Sequence, residues 1–308
     1  RGLGDVYKRQ SRNSGMQRIM TNALPTMYPD SKYADCMPIG SLDVINNFPY
    51  QDIRDYYAKW YRPDLQGIMI VGDINVDEME AKLKKVFADV KAPVHPANRI
   101  YYPVADNQEP LIFIGTDKEI ETPSISFFFK SEAFPDSLKN TINYYGIQYM
   151  LSMGISMLNS RLAEIRQQAD PPFTGASAGY GDFFVAKTKS AFGIDASSKI
   201  GGIELAMKTI LEEAERARRF GFTETEYDRA RANYLQRVES AYNEREKMKN
   251  DTYVNEYISN FLDNEPMPGI EYEYAMMNKL APNIPVTAIN QVMQQLITDN
   301  NQVVLLAG

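Results

Sequence analysis

Two stretches of this 308-residue chain repeat one another at a constant spacing of 236 positions (289 − 53 and 308 − 72). Ile53 to Gly72 reads IRDYYAKWYRPDLQGIMIVG, and Ile289 to Gly308 reads INQVMQQLITDNNQVVLLAG. Each has one apolar helical face, then a polar break, then a short apolar run closed by glycine. Ile53 matches Ile289, Tyr57 matches Met293, Trp60 matches Leu296 and Tyr61 matches Ile297, while Gln66 and Gly72 meet Gln302 and Gly308. A repeat with a fixed, domain-sized period implies one structural unit used twice. The first copy continues into DINVDEMEAKLKKVFADV, an acidic turn and a further amphipathic helix, whereas the second stops at its glycine. The expectation is a fragment: the back of one α+β domain followed by most of a second, homologous one that lacks its last helix.

The apolar fraction of 44% and charged fraction of 24% are those of a soluble globular protein. The length admits one large domain or two of ordinary size. A net charge of −7 lacks the basic footprint that nucleic-acid phosphates demand. With Cys36 as its only cysteine, the chain has no intramolecular disulfide framework. No apolar run approaches the roughly 20 residues that cross a bilayer, and Arg1 opens no signal peptide. Residues 1–10, RGLGDVYKRQ, are polar and aperiodic and read as a non-native or disordered tail, apart from the fold.

Apolar periodicity predicts helices over 13–27, ended by Pro25, then 41–47, 50–61 and 77–88, with a strand at Ile68–Val71. Residues 91–110 carry four prolines and no helical period, which marks a linker. The second unit opens with strands 111–115 and 124–130. Ser137 is placed to cap a long helix through Gln168 that Pro171-Pro172 ends. A strand at 174–180, a turn at Gly181-Asp182 and a strand at 183–196 follow. Helices are expected at 202–220, 224–245, 248–262, 271–280 and 286–298, before a last strand at 302–306. Thr223 with Glu226 forms a capping box. Strands and helices in this order give an α+β fold of two homologous domains, each with an antiparallel-rich sheet backed by helices: 11–90 as the end of the first, 111–308 as the second.

Few residues in the chain promise chemistry. His95 is the single histidine and sits in the proline-rich linker, so a His/Cys zinc site lacks ligands. It has no G-x-S-x-G elbow with which to form a triad. Gly179-Tyr180-Gly181 precedes a strand rather than a helix and reads as a hairpin turn, not a phosphate loop. Glu212, Glu213 and Glu215 followed by Arg216, Arg218 and Arg219 suit a solvated helix whose charges complement its dipole. Met150, Met153 and Met157 read as core, with a soft peptide-greeting stripe as the alternative. Tyr56-Tyr57, Tyr101-Tyr102 and Tyr272 with Tyr274 suit either a peptide groove or packing at domain seams. No catalytic or metal-binding residue is assigned, and the substrate-binding residues are unassigned.

The stretch SKYADCMPIGSLDVINNF followed by IRDYYAKWYRPDLQGIMIVGDINVDEMEAKLKKVF resembles the insulinase/pitrilysin-type zinc metallopeptidases. The pattern Tyr-x-x-Trp-Tyr-x-Pro, apolar strand, Gly-Asp closes that family's first domain. LNSRLAEIRQ, a Gly-rich hairpin and FLDNEPMPGIEYEY continue the likeness, which covers residues 11–308 in a bacterial, Bacteroidetes-like dialect. The resemblance implies several similar α+β domains around a chamber for unfolded peptides, and zinc held by an inverted His-x-x-Glu-His motif and a later Glu. None of those ligands is carried over: this chain has one histidine, and the later Glu would fall just ahead of Ser11. The family therefore implies a fragment of a zinc-dependent endopeptidase acting on peptides or small unfolded proteins. This part would form chamber wall, with peptide substrates and the remaining domains or a paired subunit as partners. The alternative is a non-catalytic partner half of the same family, and a third reading is an unrelated α+β interaction scaffold. Zinc is expected in the parent and not in this chain, the parent is expected to be periplasmic or exported, and residues 11–90 alone are expected to be only partly folded.

Overall fold

The computed structural model describes residues 14–35 and 40–308; the tail, Ser11 and Cys36 lie outside the described residues. The chain divides into two compact units, one of residues up to 39 with 101–239 and 274–308, the other of 40–100 with 240–273. Residues 14–35 thus group with the sheet of the first unit rather than with 40–90.

In the first unit the sheet starts from two-residue alternation. Strand β2 (Ser124–Glu132) sends Ile125, Phe127 and Phe129 to one core and Phe128 to another. Its neighbours are β4 (Ala186–Ser197) and β5 (Gln302–Ala307), both antiparallel to it. Beyond β5 lies β1 (Leu111–Gly115) in parallel register, and beyond β4 lies β3 (Gly175–Phe183), antiparallel. The order is β1-β5-β2-β4-β3. The fold class is α+β, and this mixed sheet is the one sheet among the described residues.

Helix α1 (Gly15–Met27) packs Ala23, Leu24 and Met27 into the core on one face of the sheet. Ser14 caps it by accepting from the Gln17 N–H. Arg18 fixes its start with paired bonds of 2.8 Å to Asp117, whose carboxyl that guanidinium holds at a pKa of about 2. Pro25 does not end the helix. It lies two residues before the last residue, inside the final turn, and the burial of Leu24, Met27 and Tyr28 holds that turn in place.

The other face is covered by α6 (Ile142–Arg166), α7 (Ile203–Phe220), the first part of α8 (Glu224–Asn243) and α11 (Val286–Leu296). Thr141, not Ser137, caps α6, because a short helix α5 (Asp136–Lys139) ends before it. Met153 and Met157 are buried core, as the spacing suggests. Helices α6 and α11 cross at Gly154, where a Cβ would stand 2.5 Å from the Met293 sulfur. Tyr149 and Tyr227, both buried, bring their hydroxyls within 3.0 Å, and Tyr227 donates to the Ile284 carbonyl.

The turn from α7 to α8 needs glycine. Gly221 has φ 70°, and a Cβ there would run into the Asn290 side chain. That amide accepts from the Phe222 N–H at 2.8 Å and donates to the Phe222 carbonyl at 3.1 Å. The capping box forms as its residues suggest: Glu226 accepts from the Thr223 N–H, and Thr223 Oγ1 accepts from the Glu226 N–H. Arg161 of α6 reaches the same carboxylate through two bonds of 2.6 and 3.0 Å.

The second unit holds α2 (Leu42–Asn47), α3 (Tyr50–Trp60), α4 (Val76–Val86) and α9 (Asn250–Asp263). Helix α10 (Ile270–Leu280) begins in it. Buried Arg62 donates to the Ala97 carbonyl, and Arg245 pairs with Glu271 at 3.1 Å. Ile68–Val71 is irregular and joins no ladder, which corrects the expected strand: no described strand lies beside it to take its backbone groups. The hairpin also differs. Gly181 and Asp182 lie within β3 and the turn is at Phe184-Val185, where Phe184 has φ 55°. Buried Phe183 and the Tyr28 hydroxyl set that position: Tyr28 donates to the Phe183 carbonyl at 2.6 Å and accepts from the Val185 N–H at 3.2 Å.

Burial opposes ionisation of Glu226, but Arg161 and Thr223 outweigh it and hold its pKa at about 2, against an ordinary 4.5. A carboxyl depressed in the folded state stabilises it above the ordinary value and loses that contribution as pH falls toward the folded value. Urea midpoints should therefore drop between about pH 4.5 and 2, and Glu226→Gln should start less stable and show a shallower drop. Parallel profiles for the two proteins would remove Glu226 from the acid response.

Candidate functional site

Strand β3, GASAGYGDF, is an edge of the sheet, paired with β4 on one side alone. Its side chains alternate. Ala176, Ala178 and Tyr180 pack toward the core, while Ser177, Gly179 and Gly181 are exposed. At Gly175, Gly179 and Gly181 a Cβ would meet nothing within 4 Å, so the backbone there is open on its outer face. Edge strands present backbone groups ready to pair with another chain.

Helix α6 runs beside this edge. Its larger apolar residues go to the core, and the turns that remain carry Ser152, Ser156 and Ser160 at four-residue spacing. Between them and β3 lies an open groove of about 640 Å³, lined also by Asn159, Gly179 and Tyr180. Within it Asn159 bonds the strand twice: the Ala178 N–H donates to Asn159 Oδ1 at 2.7 Å, and Asn159 Nδ2 donates to the Ala178 carbonyl at 3.0 Å. In an antiparallel ladder, residues alternate between exchanging both backbone bonds with the partner and pointing both away. Ala178 is thereby one of the outward set, and Ala176 and Tyr180 share its phase.

At the far end, two buried lysines from neighbouring strands tie the 102–107 segment to the sheet. Lys130 donates to the Ala105 carbonyl at 2.6 Å, and Lys189 pairs with Asp106 at 2.8 Å and with Glu132. Burial pushes Lys130 below the ordinary lysine value. Burial also works against Lys189, but its two carboxylate partners raise it above that value. These groups fasten structure and do not face the groove.

The residues singled out in the sequence scatter. His95 lies in irregular chain of the second unit with φ 56°. Glu213 and Glu215 pair with Arg216, Arg218 and Arg219 along α7, a surface ladder. Tyr56, Tyr57, Tyr101 and Tyr272 are exposed. A zinc centre needs three or four His, Cys or carboxylate donors. Among the described residues no three such side chains come together, so the residues present do not fit one. Among them, too, no helix is long and apolar enough to cross a membrane. Sequence reasoning missed Asn159. Its only trace is a run of polar residues on an otherwise apolar helix.

Residues 47–234 match the family model described as peptidase M16 inactive domain. The chain belongs to this family. The match is to the same metallopeptidases that the Trp-Tyr-x-Pro and Gly-Asp stretch resembles. A protein of Arabidopsis thaliana described as a PQQL-like zinc protease is 28% identical over 282 residues, which cover 91% of this chain and 26% of that protein. The probable zinc protease PqqL of Escherichia coli K12 is 22% identical over 273 residues, 88% of this chain and 29% of that protein. The crystal structure of the periplasmic protease PqqL from E. coli superposes with a TM-score of 0.84 at 19% identity, over 99% of this chain and 33% of that one. The chain spans less than a third of the relatives it matches, and it shares their fold.

Removal of the Tyr28 hydroxyl should loosen the tip of the β3–β4 hairpin. Tyr28→Phe is expected to cost about 1–2 kcal/mol in urea unfolding, because two backbone groups lose their partner. An unchanged midpoint would show that water replaces the hydroxyl.

Proposed function

We propose that this chain is a peptide-binding, non-catalytic portion of a zinc metalloendopeptidase, forming wall of a chamber for peptides or small unfolded proteins. The observation that carries this reading is the β3 edge, backed by an open groove whose helix side mixes the hydroxyls of Ser152, Ser156 and Ser160 and the Asn159 amide with Ile155 and Ala163. An extended peptide would add to it as a further strand through main-chain bonds, which suits substrates of varied sequence. The family match and the zinc-protease relatives support the class of parent. The periplasmic description of E. coli PqqL supports an exported one. The match to an inactive domain equally supports a second reading, a partner half that shapes the chamber while another half supplies the zinc. Sequencing of the coding DNA ahead of residue 11 separates the two: His-x-x-Glu-His there supports the first reading, and a domain with those positions replaced supports the second.

The repeat supports the division into the end of a metal-bearing-type domain at 11–90, a linker at 91–110 and a second domain at 111–308. In the second copy Ile289, Met293 and Ile297 are 0–1% exposed under the sheet that β5 joins. Their counterparts Ile53, Tyr57 and Tyr61 are 58%, 62% and 60% exposed. A unit used twice with one apolar face bare fits a first copy whose covering sheet belongs to other parts of the parent.

Two measurements test these readings. A labelled, unstructured peptide of about ten residues, long enough to span a strand, should bind the 308-residue chain in fluorescence anisotropy. The same peptide N-methylated at alternate residues should bind at least about tenfold more weakly, since methylation removes the donors that a strand needs. Equal binding of both peptides would sink strand addition. In hydrogen exchange, α3 should exchange at least about tenfold faster than α11; equal protection would defeat the bare-face argument.

A further inference from the structure

The Asn159 amide at Ala178 carries more than edge protection. A side-chain amide is chemically a peptide group, with one N–H donor pointed at a carbonyl and one oxygen accepting from an N–H. At Ala178 it makes the two bonds, 2.7 and 3.0 Å, that one residue of an added strand would make. The structure therefore already holds a peptide group at the outward position of β3, supplied from within the molecule. The groove runs along α6 on both sides of this point, past Ser156, Ile155 and Ser152 one way and Ala163 the other, opposite Gly179 and Tyr180. Small residues there leave room for a backbone to lie against the strand. Asn159 is partly accessible and holds Ala178 through its side-chain amide, so a rotamer change would release the strand.

We infer that Asn159 is an intramolecular competitor for the peptide, which keeps Ala178 occupied in the free protein and yields it when an extended peptide pairs along Ala176–Tyr180. The inference rests on the strand-addition reading above and deepens it by naming the residue that limits affinity. A peptide entering the wild-type edge exchanges two existing bonds for two new ones and gains little at this position. Without the asparagine amide, the same two bonds form against no incumbent. The device also blunts the edge in the free protein, where an open row of backbone groups would recruit a second copy of the chain.

The test uses the 308-residue chain and the labelled peptide described above, with its N-methylated form as control. Asn159→Ala should bind the unmodified peptide about tenfold more tightly than wild type, the equivalent of one to two net hydrogen bonds, and should still discriminate against the methylated form. Unchanged or weaker binding by a folded Asn159→Ala protein, with wild type binding normally, would overturn the competitor role and leave strand addition standing. Equal binding of methylated and unmodified peptides by wild type would instead remove the reading beneath it. Should Asn159→Ala fail to fold, 15N NMR of the wild-type chain decides. The Asn159 side-chain amide signals should move and exchange faster as peptide is added, and signals that stay fixed at saturation would overturn the proposal.

Discussion

Everything in the first unit depends on where β5 goes. Residues 302–307 enter between β1 and β2, parallel to the first and antiparallel to the second, so that these two strands, consecutive in sequence, are not neighbours in space. Until β5 arrives, β1 has no partner, and α1 has only part of the surface it packs on. Val303 and Leu305 complete the core beneath α1, while Val304 completes the one beneath α6 and α11. A single six-residue strand thus supplies both faces at once. Pairings this distant are closed late because loop entropy must be overcome first, so the two cores are coupled through one event.

The same argument explains the contrast between the two copies of the repeat. Helix α11 delivers β5 into the sheet and buries its own apolar face on the way. Helix α3 has the same apolar spacing and leads to an equally apolar segment, yet 66–71 has no ladder to join, and Ile68 and Ile70 stay exposed while Met69 and Val71 are half-buried. Amphipathic pattern prescribes which face of a helix is to be covered. It does not supply the cover.

Two asparagines solve related problems at the borders of this fold. Asn290 takes both backbone groups of Phe222 at a turn with no ladder, and Asn159 takes both of Ala178 at an edge with no outer strand. At the turn, the clasp combines with Gly221, the Thr223–Glu226 box and Arg161 to lock α7 to α8, a structural joint. At the edge, the clasp is open to solvent along its groove.

Much of this architecture was legible in the residues themselves. The period-two alternation of Ser124–Glu132, the four-residue spacing of Tyr149, Met153 and Met157, and the Thr223–Glu226 box are local patterns, set by backbone geometry within a few positions. The Trp-Tyr-x-Pro and Gly-Asp stretch was enough to indicate the family. What the tertiary structure alone decided is which segments meet: that Ile68–Val71 finds no partner while Val303–Leu306 finds two, that the hairpin turns at Phe184 because Tyr28 grips it, and that Asn159 reaches Ala178. Each is a contact between residues far apart or a competition for a hydrogen-bond partner. Such contacts leave no periodicity in the chain, because their energy depends on what else is within reach after folding and not on the neighbours along the sequence.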